Sequence, residues 1–206
     1  MALAIDRKKT ALLVMDCEND LVHPEGKLAK AMGYGAMIEK HGTIGHIRRV
    51  QDAARAAGLP VIFIKIGLDK MKPEEMPKRG QFFKALPNIG GMALIKGSWG
   101  AEIHDDLKPA PGEEVIYKCP VSAFSRSTLD ETLKKLGVTD LILTGVATNM
   151  VVEGTARDAA DRGYGVITVE DGVMTFSEEV HQASLVILRT VGDVAPAAEI
   201  AAELGG

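Results

Sequence analysis

Thr10-Ala11-Leu12-Leu13-Val14-Met15-Asp16 is a continuous apolar run closed by a single carboxylate, and its reading decides the fold. A strand with one wet face alternates apolar and polar residues, whereas an unbroken apolar run suits a strand covered on both faces, as in a parallel sheet. Runs of the same kind return at Pro60 to Ile66, Glu114 to Cys119, Asp140 to Thr144, Gly165 to Glu170 and, short, around Thr190 to Val194. Helical patterns with recognisable ends lie between them. His46 to Ala57 stops at Gly58-Leu59-Pro60, where glycine ends a helix cheaply and proline cannot continue it. A second helix starts near Ser127 or Thr128, where Thr128 and Glu131 have capping-box spacing, and ends at Gly137. A third runs from Thr148 or Asn149 to Gly163, and a fourth from Ser177 to about Arg189. Strand, loop and helix in repetition predict parallel βαβ units in an α/β fold.

Two stretches break this rhythm. Residues 67–80 are dense in charge and hold Pro73, Pro77, Gly67 and Gly80, which reads as a surface loop. Residues 21–45 carry several glycines with His23 and His41 and show no clear period, so a long loop serving as a lid or a partner contact is expected there. Nothing repeats at a period of about 20–50 residues, which excludes a solenoid.

The chain has 206 residues, with 24 Lys+Arg against 28 Asp+Glu and a net charge of −4. Surface scaling gives a folded area of roughly 9,300 Å² against roughly 32,000 Å² unfolded, enough burial for one self-sufficient domain over residues 1–206. A hydrophobic fraction of 46% with 25% charged residues excludes intrinsic disorder. The mildly acidic balance, without a block of Lys or Arg, argues against nucleic acid as a partner. No apolar run approaches the ~18 residues that would span a bilayer, and the start turns charged by Asp6, so neither a membrane anchor nor an export signal is expected. Cys17 and Cys119 could pair only once, and a chain of this size needs no staple; a reducing, cytoplasmic setting follows.

Three features could carry chemistry. Asp16 closes a strand at its carboxyl end, where ligands bind in open α/β sheets, or it simply caps the following turn. Lys118 holds the matching place on another strand, either at the rim of the core with its stem desolvated or snorkelling to the surface. Leu143 to Val152 passes from a strand straight into a helix; Gly145 and an N-capping Thr148 or Asn149 would aim backbone N–H groups at a carbonyl oxygen, and the alternative is an ordinary tight turn.

Together these features resemble the isochorismatase-like, or cysteine hydrolase, family. The resemblance is carried by Ala11 to Asp16 with Asn19-Asp20, by Lys96-Gly97-Ser98-Trp99-Gly100-Ala101-Glu102, by Lys118 with Ser122-Ala123-Phe124, and by Gly145-Val146-Ala147-Thr148-Asn149 with Thr155-Ala156-Arg157-Asp158-Ala159. It spans residues 10 to about 190. It implies a three-layer α/β fold, a six-stranded mainly parallel sheet with helices on both faces, in a homodimer or homotetramer. It also implies that Asp16 is the general acid or base, that Lys118 orients and polarises, and that the turn Val146, Ala147, Thr148, Asn149 and Met150 holds an oxyanion. Glu18, Asn19, Trp99 and Phe124 would border the substrate pocket, although Trp99 and Phe124 could equally anchor their loops.

The family's nucleophilic cysteine falls at Val151, which has no nucleophilic atom. Cys17 and Cys119 each adjoin a site residue, and neighbouring strand side chains point to opposite faces, so both read as small buried apolar groups. Glu18 stands where many members carry glutamine; it either raises the proton affinity of a carboxyl near Asp16 or points to solvent. The nicotinamidase branch binds a metal through histidines that this chain lacks after its second strand, and His23, His41 and His46 have no ligand spacing, so neither a metal nor another cofactor is expected. The leading expectation is a hydrolase of a small polar metabolite working through Asp16, Lys118 and water, as in hydrolysis of a vinyl ether. The alternatives are an amidohydrolase cleaving a small amide or ureido C–N bond, and a degenerate member that only binds a ligand or partner.

Overall fold

The computed structural model describes residues 3–67, 79–81, 84, 93–119 and 121–205. Six strands form one sheet, β1 Thr10–Met15, β2 Val61–Ile66, β3 Glu114–Lys118, β4 Asp140–Val146, β5 Gly165–Met174 and β6 Asp193–Ala195. Their spatial order is β3-β2-β1-β4-β5-β6, and every pairing is parallel. The order reverses between β1 and β4, so the carboxyl ends of those two strands flank the switch point at which such sheets hold ligands.

The apolar run of β1 does what its pattern requires. Leu12 and Val14 pack on one face with Ile47, Val50, Ala54, Ile200 and Leu204, while Ala11, Leu13 and Met15 pack on the other with Leu129, Leu133, Ala156, Ala159, Leu185 and Leu188. Alternate residues of one strand thus feed two apolar layers, and no residue of β1 reaches water. The first layer is closed by α4 Thr43–Ala56 and α8 Ala197–Gly205, the second by α5 Leu129–Leu136, α6 Glu153–Asp161 and α7 Glu178–Val191. Helices therefore cover both faces of the sheet.

Several boundaries differ from expectation. Residues 21–45 are mostly helical, with α1 Asn19–Val22, α2 Lys27–Met32, α3 Tyr34–His41 and the start of α4. Gly33 and Gly42 divide them at φ 80° and 61°, and each piece is too short for a period to show in the sequence. β1 stops one residue early because Asp16 turns to φ 53°, and β3 stops at Lys118. β5 runs past Glu170 to Met174, with a register shift opposite Leu143 to Gly145. The final helix, α8, went unread because its Ala-rich pattern carries few bulky apolar residues. The expected surface loop lies, for residues 68–78, outside the described residues. Among the described residues no helix is long and apolar enough to cross a membrane.

Candidate functional site

Asp16 is placed by the end of β1. Its N–H still donates to the Ile64 carbonyl at 2.9 Å, after which the left-handed turn swings the side chain over the strand ends. Lys118, the last residue of β3, reaches across β2: its Nζ donates to Asp16 Oδ2 at 2.7 Å and to the Val121 carbonyl at 3.0 Å. Both residues are buried. Asp16 Oδ1 is enclosed and has no hydrogen-bond partner among the described residues. Burial pushes the Asp16 carboxyl up, Lys118 only partly offsets that, and the balance is about 6. Asp16 therefore passes between acid and base near neutrality, with one oxygen committed to a cation and the other enclosed without a partner among the described residues.

The third feature lies at the end of β4. Gly145 has φ 115°, and a Cβ there would collide with the Met15 carbonyl oxygen, so only glycine lets β4 close against β1 at this point. The chain then enters a wide helical turn, Thr148–Val152, which continues into α6. The Met150 and Val152 N–H groups both donate to the Ala147 carbonyl, at 3.1 and 3.2 Å, so the Met150 N–H is engaged within the turn. Neither expected cap is used as a cap. The Thr148 hydroxyl meets His181 Nδ1 of α7 at 3.0 Å, and Asn149 Oδ1 accepts the Thr175 hydroxyl at 2.7 Å. Val151 is buried in the layer that holds Met15, Ala123 and Phe124. Its isopropyl group stands where the family resemblance puts a thiol.

The cysteines do not fill that gap. Cys17 is buried, and its thiol is pushed far up by burial and by the charges of Glu18 and Asp16. Burial likewise raises the Cys119 thiol. A thiolate, the reactive form, is disfavoured at both.

Other expected pocket residues are distributed unevenly. Glu18 is wholly buried rather than solvated: Oε1 accepts the Ile66 N–H at 2.7 Å, while Oε2 is enclosed without a partner among the described residues. The Asn19 amide donates to the Trp99 carbonyl at 2.9 Å, making Asn19 a strut for the 99–101 turn. Beside it Asp20 accepts the N–H groups of Lys27 and Leu94 at 3.1 and 2.7 Å and lies against Gly100, where any Cβ would strike its carboxyl. Asn19 and Asp20 thus pin two neighbouring segments to the end of β1. Trp99 is half-exposed, its ring edge-on to His23 at 4.9 Å. Phe124 instead anchors its loop: it stacks on Tyr164 at 5.8 Å, with the Arg162 guanidinium 4.9 Å from its ring centre.

Residues that the sequence marks only as family resemblance turn out to be supports, and Tyr34 joins them without such a mark. Ser122 donates to Asp158 Oδ2 at 2.8 Å and the Ala123 N–H to Thr155 Oγ1 at 2.9 Å, so Thr155 and Asp158 on α6 hold the loop that follows Lys118. Tyr34 on α3 is buried, and its hydroxyl is pushed up to about 12 by burial and by the charge of Asp16, so it remains a donor at neutral pH. The only sequence signal for Tyr34 was its place between two glycines. Among the described residues no group of three or more His, Cys, Asp or Glu is arranged to hold a metal ion.

Comparison with known proteins bears on the family and the fold. Residues 10–199 match the Isochorismatase domain family. The chain is 36% identical over 208 residues to the ureidoacrylate amidohydrolase RutB of Methylobacterium radiotolerans, covering 94% of this chain and 80% of that protein. Its fold superposes on a cysteine hydrolase from Pseudomonas syringae pv. phaseolicola with a TM-score of 0.78 at 25% identity, covering 98% of this chain and 94% of the other. It superposes on N-carbamoylsarcosine amidase from Thermoplasma acidophilum with a TM-score of 0.68 at 26% identity, covering 92% and 96%.

Proposed function

From the premise that this chain belongs to the isochorismatase family, and is therefore a hydrolase, we propose that it cleaves the C–N bond of a small ureido or carbamoyl compound with water, not a thiol, as nucleophile. The observation that carries this reading is the pairing of an intact Asp16–Lys118 site with a buried valine at 151. Named relatives act on ureido and carbamoyl compounds, which supports that substrate class.

In this reaction the ionised Asp16 takes a proton from water as the water oxygen attacks the carbonyl carbon. Lys118 holds Asp16 in place and favours its charged form, and the turn after Ala147 faces the oxygen that becomes negative. Asp16 then passes the proton to the leaving nitrogen as the C–N bond breaks, giving an amine and a carbamic acid and returning Asp16 to its carboxylate. Trp99 and the Tyr34 hydroxyl border the bound molecule. A second reading, protonation of a vinyl ether by Asp16 followed by hydration, is favoured by the same raised proton affinity, about 6. The two differ in sign: a general base works above pH 6 and a general acid below it.

The test is a panel of ureido acids, carbamoyl amines and enol ethers, run with the wild type, with Asp16→Asn and after thiol alkylation. Turnover of a ureido compound on a limb rising through pH 6, insensitive to alkylation and lost in Asp16→Asn, is expected. Loss of turnover on alkylation would overturn the water route, and a limb falling through pH 6 would favour the ether reading. If ligands raise the melting temperature and nothing turns over, the chain only binds. We propose on the same footing a homodimer or homotetramer in the cytoplasm; both cysteines are free, and sedimentation analysis reads the assembly.

A further inference from the structure

Glu18 is the buried titratable group to which the proposed reaction gives no task. Its side chain is 0% exposed, one oxygen accepts the Ile66 N–H, and the other is enclosed with no partner among the described residues. A carboxylate there would carry a full charge supported only by the backbone N–H groups of Ile66 and of Glu18 itself, a costly state in a dry site. The groups that face it add to that cost. Asp16, two residues earlier, is the nearby anion, and Cys17 between them is a buried thiol with no compensating charge. Lys65 on β2 is the cation that favours the ionised form, yet its Nζ is directed to the Ala101 carbonyl, at 2.6 Å. Ile66 contributes its backbone N–H, and Ile103, which bridges to Glu18 on the other side, brings no titratable group.

We propose that Glu18 stands as a neutral carboxylic acid, a positioning residue that leaves Asp16 the sole negative charge opposite Lys118, and that losing this proton disrupts the pair in mild alkali. A protonated glutamic acid has the outline of glutamine: a carbonyl oxygen accepts the Ile66 N–H and the other oxygen carries a hydrogen, so the dry site holds a neutral group in place of an unpaired charge. Burial and the Asp16 charge together push the Glu18 carboxyl up to about 8, in line with the geometry. Once Glu18 ionises, a second negative charge stands beside the Asp16–Lys118 pair, and Asp16 holds its proton more tightly.

Difference infrared spectroscopy of the whole chain tests this directly. A carboxylic-acid carbonyl band is expected at pH 7, vanishing as the pH rises through about 8, absent from Glu18→Gln, and retained in Asp16→Asn with its midpoint moved to lower pH. The melting temperature of the wild type should fall between pH 7 and 9 by roughly 3–5 °C relative to Glu18→Gln, because one proton is lost from the native state alone. Absence of the band from the wild type at pH 7, or an equal decline in Glu18→Gln, overturns the proposal. Should Glu18→Gln fail to fold, the wild-type titration decides the matter alone. Neither readout involves turnover, so an inactive protein would defeat the proposed function and leave this inference standing. Only its catalytic consequence, an alkaline fall in rate that Glu18→Gln removes, rests on that reading.

Discussion

Asp16 occupies a left-handed backbone state at φ 53° while its carboxyl is enclosed against Lys118. Such a state costs on the order of 1–3 kcal/mol in a non-glycine residue and persists where the surroundings over-determine it. Here the Ile64 carbonyl, the Lys118 ammonium and the walls of two apolar layers do so. Asp16→Asn keeps the shape and removes the proton acceptor, so turnover should fall by about 10²-fold or more; it also leaves the buried Lys118 ammonium without its anion, so the melting temperature should fall. Val151→Cys tests the other half of the site. Replacing a buried isopropyl with a smaller thiol should lower stability by about 1 kcal/mol, read from the denaturant midpoint. If the turn is still competent, amide turnover should rise and become sensitive to alkylation, which the wild type is not expected to be. No gain of alkylation-sensitive turnover would mean that the turn no longer presents position 151 to a substrate.

At the scale of elements, the loop after β3 and the turn after β4 are held by their own backbone bonds and, in addition, by side chains from the helices behind them. Thr155 on α6 receives the Ala123 N–H, so Thr155→Val, of similar shape, leaves that buried donor unpaired and should destabilise by about 1–3 kcal/mol in denaturant titration. His181 on α7 holds the Thr148 hydroxyl, and burial keeps its imidazole below the usual histidine range. The fold resists protonating it while the unfolded chain does not. Its contribution is therefore complete above about pH 6.5 and is lost as the pH falls toward the lower folded value. A His181→Gln variant should show a shallower acid loss of melting temperature over that window. The helices of 21–45 escaped the sequence reading for an elemental reason: segments of one or two turns between left-handed glycines show no period, and their order comes from contacts. Thr148 and Asn149 were legible as cap types, but their partners lie 33 and 26 residues away.

For the whole molecule, the site places two carboxyls with raised proton affinity in one dry region, against the common pattern in which native carboxylates are stabilised. Asp16 and Glu18 contribute fully to stability below their ordinary values of 3.8 and 4.5, and that contribution is lost as the pH rises through about 6 and about 8. The melting temperature should therefore peak on the acid side of neutrality, between the acid loss from His181 and the alkaline loss from Glu18. A calorimetric series across pH 4–9 with an optimum at or above pH 8 would count against both assignments.

By itself the sequence determined the strand-and-helix rhythm, the two-faced burial of β1 and the residue types at the strand ends, because period and apolar continuity are local properties that backbone geometry converts directly into elements. It also determined that position 151 carries no nucleophile. The tertiary structure alone decided that Lys118 meets Asp16 from 102 residues away, that Glu18 is sealed in, and that Phe124 anchors its loop against the core. Sheet order and helix packing bring those groups together, and proton affinity follows from what surrounds a carboxyl rather than from its neighbours in the chain.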